Sequence, residues 1–171
     1  MVELRNVDKN NWLSVIRLSC AEDQQNRIFE KTIASNCLSL VQASMEEGWT
    51  TQALYDEEIV VGFVMFGYSA ELQGLEICRL MIDHRFQGRG YGREALHQTV
   101  EVLREQYPEE PIFICFQEEN TAAKKLYERY GFINSGSTIE GNVEELIYVL
   151  LPEPATDHME GAGSGSPKIH S

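Results

Sequence analysis

The chain has 171 residues, enough for one domain with a sizeable core, and a formal net charge of −13. That charge argues against a nucleic-acid partner, whose phosphates it would repel, and suits a small cationic substrate. No apolar run is long enough to cross a membrane, and Met1 to Arg5 begins no secretory apolar segment. Cys20, Cys37, Cys78 and Cys115 lack paired or metal-binding spacing, so four reduced thiols in a cytoplasmic protein without a metal site are expected.

In chain order, Val2 to Val7 alternates like a strand, and Asn10 or Asn11 caps a short helix running through Leu18. Residues 22 to 47 hold one or two further helices, with Ile33, Leu38, Leu40 and Val41 apolar. Thr50–Tyr55 and Ile59–Tyr68 form a hairpin around Asp56, Glu57 and Glu58. The stretch from Ile59 to Phe66 is apolar on both faces, as a central strand would be. A strand over 75–82 precedes a long helix starting near Gly92, with Leu96, Val100, Leu103 and Tyr107 at helical spacing. A strand over 112–116 leads to a helix over 121–130, capped by Asn120 or Thr121 and closed by Gly131. Phe132–Ser137 and Glu144–Leu151 supply the last two strands. The expected fold class is α+β, a mixed, mostly antiparallel sheet flanked by helices, over residues 1–151. Residues 152–171, rich in Pro, Gly and Ser without apolar periodicity, are expected to form a flexible tail outside the fold.

Two motifs carry chemistry. Residues 87 to 92 read Gln-Gly-Arg-Gly-Tyr-Gly between the strand at 75–82 and the long helix. Glycines here let the backbone turn sharply, and the helix's first free N–H groups and its dipole favour an anion, so the segment can cradle a pyrophosphate. A flexible strand-to-helix turn explains the glycines equally well by themselves. No Gly-Lys-Ser/Thr follows, and the mid-chain position does not suit a dinucleotide fold. The second motif is Asn120-Thr121-Ala122-Ala123-Lys124-Lys125-Leu126-Tyr127-Glu128-Arg129-Tyr130-Gly131-Phe132.

In this order and spacing, the two motifs resemble the GNAT superfamily of acetyl-CoA-dependent N-acetyltransferases. The resemblance implies the GNAT fold, acetyl-CoA as co-substrate and direct transfer of an acetyl group to an amine. It also implies a cofactor site made by Leu80, Met81, Ile82, Gln87, Gly88, Arg89, Gly90, Tyr91, Gly92 and Asn120. The backbone of Leu80 to Ile82, on a distorted strand, would pair with the pantetheine arm. Tyr127 matches the acid that protonates the leaving thiolate, although a core tyrosine bonded to backbone is the default for a lone Tyr. Residues 34–40, 61–65 and 80–92 are similar to the bacterial spermine/spermidine acetyltransferase branch. That implies a small polyamine acceptor and a homodimer, while residues 24–33 depart from the branch's spacing. An aminoglycoside or protein N-terminal acceptor remains open, as does an acyl-CoA-binding domain without turnover; the intact Tyr127 and Asn120 speak against the last.

Acyl transfer to an amine requires removal of the amine's proton, stabilisation of the oxyanion and protonation of the thiolate. Glu76 is the candidate base. On an alternating strand it shares a face with Cys78, Leu80 and Ile82, where burial would raise its pKa; a solvent-facing strand end after Gly74 is the equal alternative. Arg79, on the other face, reads as a structural ion-pair partner. Cys78 and Cys115 read as inert core thiols, His84 as a solvated loop residue and His97 as a helix-surface residue. Glu22, Asp23, Glu46 and Glu47 could attract a cationic amine, although a solvated acidic face explains each of them as well.

Overall fold

The computed structural model describes residues 1–21, 35–140 and 144–153. Its strands are β1 (Val2–Asn6), β2 (Trp49–Asp56), β3 (Ile59–Ser69), β4 (Gly74–Ile82), β5 (Ile112–Phe116), β6 (Ile133–Glu140) and β7 (Glu144–Leu150). The helices are α1 (Trp12–Ile16), α2 (Asn36–Met45), α3 (Tyr91–Gln106) and α4 (Thr121–Tyr130), with a 3-10 turn at His84–Phe86. The strands form one seven-stranded sheet in the order β1-β2-β3-β4-β5-β7-β6. All pairs are antiparallel except β4 with β5, so the α+β, mostly antiparallel expectation holds.

Both faces of β3 are buried, as its continuous apolar run demands. Val61, Val64 and Phe66 enter the larger core beneath α3 and α4, while Phe63 and Met65 enter a smaller one beneath α1. Burying each such side chain stabilises the fold by ~1.5–3 kcal/mol. α3 contributes Leu96, Val100 and Leu103 from a single stripe. Tyr107 does not continue that stripe: it is the C-cap with ψ 69°, and it is exposed. α1 stops at Ile16, short of Leu18. Asn11 is its N-cap, but the side chain accepts from Asp8 N and donates to Asn6 O, so the loop rather than the helix is fastened.

Two features of β4 shape the site. Phe66 pairs with Ile77 and Met65 with Arg79, leaving Cys78 as the extra residue of a bulge. β4 and β5 then pair at only two rungs, Leu75 with Ile112 and Glu76 with Phe113. Beyond Glu76 no further β4–β5 rung forms among the described residues, so the two strands part toward Ile82. Of the expected helical region at 22–47, the described part from 35 onward holds α2; residues 22–34, with Glu22, Asp23 and the segment 24–33, lie outside the described residues, as do those from 154 onward.

Candidate active site

The glycine loop hangs from a buried carboxylate. Asp83 is 1% exposed and accepts from Ser19 N (3.1 Å), Arg85 N (3.0 Å), Arg85 Nε (2.7 Å) and Arg85 Nη2 (3.2 Å). Burial pushes its carboxyl up, but the Arg85 side chain and the backbone donors outweigh that and hold it below the usual range. Gln87 donates to Ile82 O (3.0 Å), drawing the start of the loop onto the end of β4. Gly90 is the N-cap of α3 at φ 88°, a left-handed conformation that favours glycine, and Gly88 has φ 75°. A Cβ added at either would meet nothing within 4 Å. The N–H groups of Gly88 to Gly92 find no acceptor among the described residues. Five free donors at a helix N-terminus, beside open space, fit the pyrophosphate of acetyl-CoA.

This loop borders a cleft of about 330 Å³ where β4 and β5 part. Leu80, Met81, Ile82, Gln87, Gly88, Gly90, Tyr91, Gly92, Asn120 and Tyr127 line it. Arg89 is the exception among the expected cofactor residues. It does not line the cleft: its guanidinium lies 5.5 Å from the ring centroid of Phe86, which does, and donates to Arg85 O. Tyr91 hydrogen-bonds Asp56 through its hydroxyl, leaving its backbone N–H for the loop. Asn120 caps α4 by accepting from Ala123 N (3.3 Å), and Gly131 closes the helix at φ 119°. Cys20, Phe86 and Leu126 also line the cleft although no site role was expected of them; Phe86 lies just before the first motif and Leu126 within the second.

A second cavity of about 130 Å³ lies on the far side of the β4–β5 gap. It shares Leu80, Met81, Asn120 and Tyr127 with the first. Tyr127 is buried, its ring centroid 5.3 Å from that of Phe116 and 6.0 Å from that of Phe132. Its hydroxyl has no hydrogen-bond partner among the described residues, unlike that of a backbone-tied core tyrosine. Burial alone pushes its pKa well above the ordinary value, so the proton stays on at neutral pH.

Glu76 faces this second cavity rather than bulk solvent. Burial raises its pKa, opposed by a Ser69 hydrogen bond and by Arg79. The strand face expected for Glu76 is corrected by the bulge. Because the bulge takes Cys78 out of the two-residue alternation, Glu76 shares a face with Cys78 and Met81, while Leu80 and Ile82 join the opposite core with Ile77. For the same reason Arg79 lines the cavity beside Glu76, with Nη1 donating to Cys78 O (2.7 Å) and Sγ (3.0 Å). Burial pushes the Cys78 thiol up to about 12 and raises Cys115 further, which suits inert thiols rather than an acyl-cysteine route. His84 is half exposed beside Ser19 O, and His97 sits on the α3 surface near Tyr130. Glu46 and Glu47 are exposed and border neither cleft. Asn36 and Glu145 line the second cavity and no sequence signal marks them, since each arrives from an element distant along the chain.

No described helix is long and apolar enough to cross a membrane. A model of the acetyltransferase (GNAT) family matches residues 10–132. A spermine/spermidine N(1)-acetyltransferase of Bacillus subtilis is 28% identical over 138 residues, covering 72% of this chain and 91% of that protein. The fold is similar to an acetyltransferase of Thermus thermophilus (TM-score 0.67, 20% identity, 88% of this chain and 97% of that one). It is also similar to a spermidine N-acetyltransferase of Vibrio cholerae solved with CoA and spermine (TM-score 0.69, 17% identity, 88% and 95%). With a glycine cradle, a parted strand pair and a family model spanning most of the chain, this protein belongs to the GNAT family and is an acetyltransferase that uses acetyl-CoA.

Proposed function

We propose that the enzyme acetylates a primary amine of a small polycation, spermidine or spermine, by direct transfer in a ternary complex. One observation carries this reading: two clefts meet at Tyr127 and Asn120, one floored by the glycine cradle and the other lined by half-buried carboxylates. Acetyl-CoA, when bound, supplies the activated acetyl thioester. The free N–H groups of Gly88 to Gly92 bind and orient its pyrophosphate, and the backbone of Leu80 to Ile82, where β4 and β5 part, aligns the pantetheine arm. Glu76 takes the proton that the incoming ammonium must lose, and Tyr127 gives one to the departing sulfur. The names of the Bacillus subtilis relative and the Vibrio cholerae neighbour support a polyamine acceptor.

The net charge of −13 supports electrostatic capture of a multiply charged amine. The KM for spermine should therefore rise clearly as the Debye length falls from about 30 Å at 0.01 M salt to about 8 Å at 0.15 M. A singly charged amine should be a poor substrate with a flat salt response. If an aminoglycoside or a monoamine is turned over far better than spermine, the polyamine assignment is wrong.

Glu76 makes a prediction about pH. A base must be ionised to act, and the raised pKa of Glu76 places the acidic limb of kcat/KM above the ordinary carboxylate range. Glu76→Gln should abolish that limb and lower kcat, by about 10²–10⁴-fold if general-base catalysis is fully lost. Stability gives an independent readout. A carboxyl whose folded pKa is raised favours folding below its unfolded pKa, and that contribution is lost as pH rises through the folded value. Glu76→Gln should thus gain stability relative to wild type as pH rises from 4 to 7. An unchanged pH–rate profile in the variant contradicts the assignment.

We further place the enzyme in the cytoplasm, where its four free cysteines stay reduced, and assign it as a homodimer. The exposed apolar stripe of Leu38, Val41 and Met45 on α2 supports self-association.

A further inference from the structure

The acceptor cavity holds a second carboxylate that the transfer chemistry does not use. Glu145 on β7 is half-buried and lines the same cavity as Glu76. Strand register fixes its place. Glu76 pairs with Phe113 of β5, and Phe116 pairs with Leu146, so Glu145 falls beside Gln117. Leu146 and Tyr148 pack into the core beneath α3 and α4, which turns Glu145 to the opposite sheet face, the face of Glu76 and Cys78.

From Phe113 to Gln117 is four residues, about 13 Å along β5 at ~3.3 Å per residue, and the two acids flank that strand on opposite sides. The offset is one of backbone: the Glu145 charge is among the causes that raise Glu76, so the two acids sense each other across the cavity they both line. Burial pushes the Glu145 carboxyl above its ordinary value, with Arg79 opposing. Neither acid forms an ion pair among the described residues. Two half-buried, offset carboxylates in one cavity with Tyr127 in its wall favour an elongated ligand positively charged at separated points.

We propose that Glu145 is a specificity-determining residue that holds a remote ammonium of the acceptor, while Glu76 receives the amine to be acetylated. This rests on the polyamine reading above and deepens it: the acceptor is selected for a second cationic centre as well as for its reactive amine.

The test is Glu145→Gln, an isosteric change that keeps a polar group at the site, assayed by thiol release with spermidine and with n-butylamine. The KM for spermidine should rise about tenfold or more, the scale of one lost charged partner, while kcat stays within about twofold. The kcat/KM for n-butylamine should stay within about twofold, which a merely structural defect would not allow. An unchanged KM for spermidine, or an equal fall in kcat/KM for both amines, overturns the role of Glu145 and leaves the polyamine reading standing. A wild-type enzyme that does not acetylate spermidine overturns both.

Discussion

Tyr127→Phe is expected to lower kcat by about 10²–10⁴-fold, the usual contribution of general acid catalysis, or roughly 2.7–5.4 kcal/mol of barrier. Affinity for acetyl-CoA should remain near normal. Phe keeps the ring that packs against Phe116 and Phe132, so no cavity opens. The lost hydroxyl has no hydrogen-bond partner among the described residues, so no buried donor or acceptor is orphaned. The deficit should therefore fall on the chemical step. Because burial raises its pKa, Tyr127 keeps its proton across the neutral range and should add no limb to the pH profile there. Steady-state kinetics with calorimetric titration of CoA check the split: a variant with full kcat refutes the acid role, and one that loses CoA affinity equally makes Tyr127 a binding residue.

Gly90→Val is expected to abolish measurable CoA binding while the protein stays folded. At φ 88° a residue with a Cβ is strained by ~1–2 kcal/mol, and a β-branched one more, so the loop relaxes away from its anion-binding shape. Losing two charge-assisted N–H contacts at ~1.5–3 kcal/mol each costs about 3–6 kcal/mol, or roughly 10²–10⁴-fold in Kd. A Cβ at Gly90 meets nothing within 4 Å, so no packed neighbour is displaced and the core is spared. Circular dichroism should be unchanged. Gly90→Ala, equally strained in φ but less bulky, should fall between wild type and Gly90→Val. A folded Gly90→Val protein that binds CoA like wild type would place the pyrophosphate elsewhere.

The parts of the fold legible in the sequence are those set by local chemistry. The apolar run of β3, the Asn120 cap, the Gly131 stop and the glycine turn each state their conformation within a few residues, and the structure follows them. The bulge at Cys78 is not legible in position. Glu76-Ile77-Cys78-Arg79-Leu80-Met81 alternates plausibly in either frame, and only pairing with β3 decides which residue is extra. That one residue moves Leu80 and Ile82 off the face of Glu76 and brings Arg79 into its cavity. Arg89, between two glycines, presents its backbone N–H with the rest of the loop, while its guanidinium lies beside Phe86, a placement its neighbours in sequence do not announce. Asp83 and Arg85, two residues apart, form the anchor of the loop; that signal is local and could have been read. Glu145 could not, because its place depends on β5 pairing with a strand some thirty residues later.

The most direct test of the central claim is thiol release from acetyl-CoA by the purified wild-type enzyme across a panel of spermine, spermidine, n-butylamine, an aminoglycoside and an N-terminal peptide, with products identified by mass. A polyamine acetyltransferase releases thiol in equal amount to N-acetylated spermine or spermidine, with kcat/KM for these well above the rest of the panel. Thiol release that no amine stimulates, or clear preference for the aminoglycoside or the peptide, would contradict it.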